Sequence, residues 1–174
     1  CYERVVRLQP GHAKAWNNIG VCQQQLGDLS LAADAYQRAV DADPSLLPAI
    51  LNFAHLHLAA GDDLKATDLL RRATSIEPGN GTTWDTLARA LLRLGRTEEA
   101  VQASRRAMEL VSPKVLPRIK EAESALAAGD HAAAESALAA ALEFIPDHPT
   151  LRHMLAAVRG ETTDRPSTAY VGML

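Results

Sequence analysis

The residues with the greatest chemical potential in this sequence are its histidines, carboxylates and cysteines, and their spacing limits what they can do. His55 and His57 lie two residues apart, so on a helix they would point in different directions. His131 and Glu135 lie four apart and could share a helical face, but zinc sites need three or four ligands. No Ser-His-Asp or Cys-His arrangement and no glycine-rich nucleotide loop occurs at usable spacing. We therefore expect no catalytic residues, no metal site and no cofactor.

The composition is ordinary for a globular domain, with 47% apolar and 22% charged residues. A net charge of -3 gives no overall attraction to nucleic acid or to anionic membranes. Cys1 and Cys22 form no CxxC motif, and we expect Cys22 to be a small buried or half-buried filler. These observations predict a cytoplasmic protein without nucleic-acid or membrane partners. The abundance of arginine and alanine suggests a GC-rich bacterial source.

The strongest signal in the sequence is a repeat with a period of 34 residues. Shifting the chain by this period aligns one set of four glycines and two sets of four alanines. The sets are Gly27, Gly61, Gly95 and Gly129; Ala32, Ala66, Ala100 and Ala134; and Ala39, Ala73, Ala107 and Ala141. Self-similarity at a fixed period of this length predicts a solenoid.

Each copy of the repeat predicts two helices joined by a tight turn. The first half has apolar residues at helical spacing, and the glycine that follows can adopt the left-handed conformation that closes a helix. A short polar side chain then comes into position to cap the second helix. The predicted caps are Asp28, Asp62, Thr97 and Asp130. In the second half, Ala32 and Ala39 allow two antiparallel helices to approach closely, and Tyr36 fills the space between them.

These residues resemble the tetratricopeptide repeat (TPR) family. The matching residues of the first copy are Trp16, Gly20, Gly27, Ala32, Tyr36, Ala39 and Pro44. The resemblance covers four copies and implies an all-α fold, a right-handed superhelical solenoid of antiparallel helix pairs. Copy four departs from the pattern, because Arg118 replaces a tryptophan and Glu121 stands where Ile19 does. We expect its first helix to pack less well.

The period divides the chain into seven segments. Cys1 falls inside the second helix of a repeat, which suggests a fragment of a longer repeat protein. An apolar stripe from Leu151 to Val158 predicts one more helix after the last full copy. The segments are 1–12, the second helix of a truncated repeat; 13–46, 47–80, 81–114 and 115–148, TPR 1 to TPR 4; 149–160, a capping helix or half repeat; and 161–174, a tail or linker.

The resemblance also implies a binding surface, because the first helices of TPR arrays line a concave groove. The residues at groove-facing positions are predicted to bind a peptide. They are Lys14, Asn17, Asn18, Asn52, His55, Asp85, Thr86, Arg89 and Arg93. Asn18 and Asn52 resemble the start of the asparagine ladder of O-linked N-acetylglucosamine transferases. An amide side chain can both donate to and accept from a peptide backbone.

Three functions follow as alternatives. The first is a non-catalytic protein–protein interaction module that holds a peptide or protein segment in the groove. The second is the substrate-recruiting arm of a larger bacterial methyltransferase, since the tail resembles the junction that precedes an S-adenosylmethionine-dependent methyltransferase domain. The residues that carry this resemblance are Arg165, Pro166, Ala169, Tyr170, Val171 and Leu174. The third is a self-assembling scaffold that forms homo-oligomers through its terminal repeat faces.

Overall fold

The computed structural model describes residues 2–111 and 113–161, and these form ten α-helices and one short 3-10 helix at Pro113–Val115. No strand occurs in this part of the chain. The helices are α1 (Tyr2–Leu8), α2 (Ala13–Gln25), α3 (Leu29–Ala42), α4 (Leu47–Ala60), α5 (Asp63–Ile76), α6 (Gly81–Arg93), α7 (Thr97–Val111), α8 (Leu116–Ala127), α9 (His131–Phe144) and α10 (Pro149–Val158).

Consecutive helices pack in pairs, α2 with α3, α4 with α5 and α8 with α9, so the predicted all-α class of antiparallel helix pairs is confirmed. The chain divides into two compact units, Cys1–Thr83 and Trp84–Leu174. The first unit has a core that includes Tyr36, Ile50 and Phe53. The two units are described separately below.

The glycine turns have the predicted conformation. Gly27, Gly61, Gly95 and Gly129 all have positive φ, between 73° and 86°. This is the left-handed region, which side chains with a Cβ adopt only at a cost. Gly160, after α10, shares this conformation with a φ of 71°. The turns between the paired helices are therefore determined locally by glycine.

Three of the four predicted helix caps are confirmed. The carboxylate oxygens of Asp28, Asp62 and Asp130 accept hydrogen bonds from backbone N–H groups three residues later, at 3.2, 3.3 and 2.9 Å. The fourth prediction is wrong, because Thr97 is the first residue of α7 rather than its cap. The position in register with the aspartates is Arg96, whose Nε donates instead to Glu99 Oε1 at 2.6 Å.

The core of the first repeat depends on a close fit between Gly20 and Tyr36. A Cβ on Gly20 would lie 2.6 Å from the Tyr36 ring, which is closer than real contacts allow. The ring is 1% exposed, and its hydroxyl donates to Gln24 Oε1 at 2.8 Å. Alanine replaces Gly20 in the other three copies, and a smaller residue than tyrosine then stands in register with Tyr36. The pairs are Ala54 with Leu70, Ala88 with Ser104, and Ala122 with Leu138.

The predicted burial of Cys22 is wrong, since its side chain is exposed. Cys22 lies two residues after the buried Gly20 on α2. Two residues correspond to about 200° around a helix, so the thiol points away from the packed face. A small apolar residue in a helix was therefore an insufficient signal for burial.

In the second unit, α8 packs with a different face from the first helices of the first unit. Arg118 and Glu121 are exposed and pair with each other at 2.8 Å, in place of the apolar residues that occupy these positions in other copies. Ile119 and Leu126 are buried instead, on either side of Ala122, whose position is buried in α2 and α4 as well. The two charged residues that depart from the repeat pattern thus lie at the surface, and the next apolar residues fill the interior.

Candidate functional site

Three asparagine side chains form a connected group on the first unit, here named the amide cluster: Asn17 and Asn18 on α2, and Asn52 on α4. Asn52 Nδ2 donates to Asn17 Oδ1 at 3.0 Å, and Asn17 Nδ2 donates to Asn18 Oδ1 at a longer 3.4 Å. All three are half-buried. The cluster therefore joins two helices through their side chains and still reaches the surface.

After these two hydrogen bonds, the amide cluster still has unused donor hydrogens and an unused acceptor oxygen. Within the described part of the chain, the NH2 group of Asn18 and the carboxamide oxygen of Asn52 make no hydrogen bond. A carboxamide has two donor hydrogens and an oxygen that accepts two bonds. The sequence predicted Asn18 and Asn52 as neighbouring rungs of a ladder. The structure instead places Asn17 between them as the bridge.

Two further predicted residues flank the amide cluster. Lys14 lies three residues before Asn17 on α2, and His55 lies three residues after Asn52 on α4. Residues at this spacing share a helical face. Both side chains are exposed. Five of the predicted site residues thus lie together on the first unit, with amides in the centre and a lysine and a histidine at the edges.

His57 lies on the same helix as Asn52 but is turned inward. Its ring centroid is 4.5 Å from that of Phe53, and its Nδ1 is 3.4 Å from Asp62 Oδ2. Burial lowers the pKa of His57 below its ordinary value of 6.5, although the nearby Asp62 charge opposes the shift. Burial opposes ionisation of Asp62 too, but the hydrogen bonds and charge of Lys65, together with the charge of His57, lower its pKa. The partly buried surroundings of His57 therefore disfavour a positive charge on its ring.

The predicted residues of the second unit are engaged with other parts of that unit. Asp85 Oδ1 accepts a hydrogen bond from Thr150 Oγ1 at 2.5 Å and lies 3.8 Å from His148 Nε2. Its other oxygen lies 3.6 Å from Arg89 Nε. Thr86 is buried, with 4% of its surface exposed. The carboxylate predicted to contact a peptide is thus held by the beginning of α10.

Arg89 and Arg93 are exposed on α6. Their predicted roles in peptide binding remain predictions, and the contact with Asp85 partly neutralises Arg89.

The structure gives two further results about the kind of site. Within residues 2–111 and 113–161, no group of three His, Cys, Asp or Glu side chains is arranged to hold a metal ion. No helix in the same residues is long and apolar enough to cross a bilayer. The tail residues that resemble a methyltransferase junction lie outside the described residues.

Known proteins match this chain through the repeats. The family description "Tetratricopeptide repeat" matches residues 13–46 and again residues 82–110. The peroxisomal targeting signal receptor of Eremothecium gossypii is 32% identical over 115 residues, which are 66% of this chain and 20% of the receptor. The FK506-binding protein-like protein of Mus musculus is 28% identical over 108 residues, 58% of this chain and 31% of the relative. The chain spans less than a third of the length of these curated relatives.

Solved structures share the fold across nearly the whole chain. YrrB, described as a TPR protein with an unusual peptide-binding site, is similar with a TM-score of 0.64 and 19% identity, over 98% of this chain and 88% of YrrB. The MamA protein is similar with a TM-score of 0.63 and 18% identity, over 86% of this chain and 83% of MamA. The two matched segments show that the chain contains tetratricopeptide repeats, and the solved structures share its fold.

Proposed function

We propose that this chain is a non-catalytic protein–protein interaction module whose first unit binds an extended peptide through the amide cluster. The observation that carries the proposal is the hydrogen-bonded series from Asn52 through Asn17 to Asn18, with amide groups left over at both ends. An extended peptide offers one N–H and one C=O per residue outside proline. Carboxamides can pair with both groups.

The chemistry of the site suits a ligand recognised mainly by its backbone. Amide contacts to the backbone place little demand on the ligand's side chains, so we expect modest sequence preference. Lys14 adds a positive charge at one edge and favours a peptide with a carboxylate there. Two similar proteins support this class of function: YrrB is described as having a peptide-binding site, and the Eremothecium gossypii relative is named a targeting signal receptor.

We assign peptide binding to the first unit and not to the predicted residues of the second. Asp85 and Thr86 stand in the second unit where Asn17 and Asn52 stand in the first, counted by the 34-residue period. Asp85 accepts a hydrogen bond from Thr150, and Thr86 is buried. The methyltransferase arm and the scaffold remain predictions, since both depend on residues or copies beyond the described chain.

The proposal is tested with the tightest-binding member of a randomised library of 12-residue peptides, selected on the wild-type chain and labelled with fluorescein. Replacing both Asn18 and Asn52 by alanine should weaken binding by about 1–3 kcal/mol, or about 5- to 150-fold, because partner groups lose their hydrogen bonds. The melting temperature should hardly change, since all three asparagines are only half-buried. Fluorescence anisotropy gives the affinities.

Gln37→Ala is the matched control, since Gln37 is an exposed amide on α3. It should leave the affinity unchanged. If the double variant binds the selected peptide as tightly as the wild type, the amide cluster is not the site. If the library yields no peptide that binds the folded chain, peptide binding itself is contradicted.

A further inference from the structure

Helix α10 covers the part of the second unit that the repeat aligns with the amide cluster. Asp85 is two periods beyond Asn17, and Thr86 is one period beyond Asn52. Asp85 accepts the hydrogen bond from Thr150 at the start of α10, and Thr86 is almost completely buried. The second unit's counterpart of Asn17 is therefore already bonded to α10, and its counterpart of Asn52 is inaccessible.

The helix that occupies this surface is amphipathic. Thr150, Leu151 and Met154 have no exposed surface. They are spaced i, i+1 and i+4, so they share one helical face. Arg152 and His153, between them in sequence, are exposed. Helical ligands that bind in grooves are anchored in the same way, by a few residues of one face at such spacings.

The contacts of α10 reach a helix that is far away in sequence. Thr150 and Asp85 are 65 residues apart, nearly two periods, so α10 contacts the first helix of repeat three and not only its neighbour α9. A helix that merely continued the array would contact the preceding repeat, because repeats pack against their nearest neighbours. α10 therefore packs on α9 of the preceding repeat and also reaches repeat three, through α7 and through Asp85 of α6.

The far end of α10 is held less firmly than its beginning. Ala157 and Val158 border a cavity of about 360 Å³, shared with Gly95 and Leu126. Arg159 Nε pairs with Glu135 Oε1 at 2.8 Å, but both side chains are about 40% exposed, and exposed pairs stabilise little. The anchoring is therefore concentrated at Thr150, Leu151 and Met154.

We propose that this face of the second unit is a docking site for an amphipathic helix of a partner protein, and that α10 occupies the site in cis. The partner's helix carries a hydroxyl residue opposite Asp85, followed by leucine at the next position and methionine three residues later, as α10 does. This site is separate from the proposed peptide site: it lies on the other unit and takes a helix. Because α10 competes, a chain with α10 docked in 99% of molecules binds the partner about 100-fold more weakly than an open one.

The probe for this proposal is a fluorescein-labelled synthetic peptide of residues 148–159, which contains the three anchors. It is titrated into the full chain and into the full-chain variant Met154→Lys, in which a charge replaces a fully buried anchor and undocks α10. We expect at least tenfold tighter binding to the variant than to the wild type. A peptide that itself carries Met154→Lys should not bind. Adding Asn18→Ala and Asn52→Ala to the variant should change nothing, which separates this site from the amide cluster.

Two results would overturn the proposal. One is equal binding to the wild type and the variant, and the other is no binding to a variant that keeps its helicity by circular dichroism. If Met154→Lys unfolds the chain, Thr150→Val replaces it, because it removes only the hydroxyl that bonds Asp85. Amide hydrogen exchange should then accelerate in residues 149–158 and not in α8 or α9. Equal acceleration in all three helices would show that α10 is an integral part of the core and would also refute the proposal.

Discussion

Helix α4 of the first unit and helix α8 of the second bury different faces although the same period generates them. In α4 of the first unit, Ile50 and Phe53 are buried. The residues in register with them in α8 of the second unit are Arg118 and Glu121, which are exposed, while Ile119 fills the interior. In the first unit the position of Ile119 is held by Leu51 in α4 and by Asn17, a member of the amide cluster, in α2.

This difference shows that the 34-residue repeat determines where helices and turns occur, but not which face of a helix packs into the core. Two charged residues at core positions are sufficient for α8 to bury its neighbouring apolar residues instead. A position that serves binding in one repeat then serves stability in another. The consequence is that equivalent residues of the two units should respond to mutation in opposite ways.

Exchanging the residues at this position gives the largest expected effect. Ile119→Asn should lower the free energy of unfolding by about 3–5 kcal/mol, because it removes a buried apolar side chain and buries an amide that has no hydrogen-bond partner. Asn17→Ile, the reverse change in the first unit, should cost about 1 kcal/mol or less and should weaken peptide binding. Urea denaturation measures the stabilities. Similar losses for the two variants would contradict the assigned difference between the units.

A second way to test the comparison uses the Gly20–Tyr36 fit. Gly20→Ala should destabilise the chain by up to about 2 kcal/mol, since overpacking costs about 1–3 kcal/mol and better helix propensity returns about 1. With Tyr36→Leu also present, the Gly20→Ala change should become neutral or stabilising, as in the natural Ala54–Leu70 pair.

Gly79→Ala is the control for this pair, because a Cβ there meets nothing within 4 Å. The double-mutant cycle measures the coupling between positions 20 and 36. A coupling energy near zero would mean that the ring moves aside without cost.

The partly buried His57 should make the stability of the first unit depend on pH. The folded-state pKa of His57 is below 6.5, so the unfolded chain binds more protons below pH 6.5. The free energy of unfolding should therefore fall as the pH drops from 7 towards 5. The lowered pKa of Asp62 adds a separate loss only at more acidic pH, near and below its ordinary 3.8.

His57→Leu tests this dependence, because leucine is the residue in register in the second unit, Leu91, and is buried there. Chemical denaturation at several pH values between 5 and 7 should show a flatter profile for the variant. An unchanged slope would indicate that His57 is not the group responsible.

The smallest expected effect concerns Ser104, which stands in register with Tyr36. Ser104 has no exposed surface, and its hydroxyl has no hydrogen-bond partner among the described residues. Ser104→Ala should therefore raise the free energy of unfolding by about 1 kcal/mol. Ser136→Ala on α9 is the control, since that serine is exposed and should show only the gain in helix propensity, about 0.5 kcal/mol. Equal gains would mean that the buried hydroxyl has no cost.

The features that the sequence predicted correctly are those with local causes. The left-handed glycines and the aspartate caps follow from the conformational preferences of single residues and of their immediate neighbours. The prediction of Thr97 as a cap was wrong by one position, because the residue in register with the capping aspartates is Arg96. The exposure of Cys22 was missed because apolar character alone does not say which side of a helix a residue occupies.

The contacts that define the two candidate sites were beyond sequence reasoning because they join distant helices. Asn17 bridges Asn18 and Asn52 only because α2 and α4 bring their side chains within 3.0 Å. The apolar stripe of residues 151–158 predicted a helix, but its partner Asp85 lies nearly two repeats earlier in the chain. No periodicity encodes that pairing.

The fit between Gly20 and Tyr36 also restricts how this protein can evolve. A change at Gly20 alone creates an overlap, and a change at Tyr36 alone leaves a void. The two sites should therefore be substituted together along a lineage, so that glycine with tyrosine and alanine with a smaller residue appear as alternative states. The four repeats of this chain already contain both states.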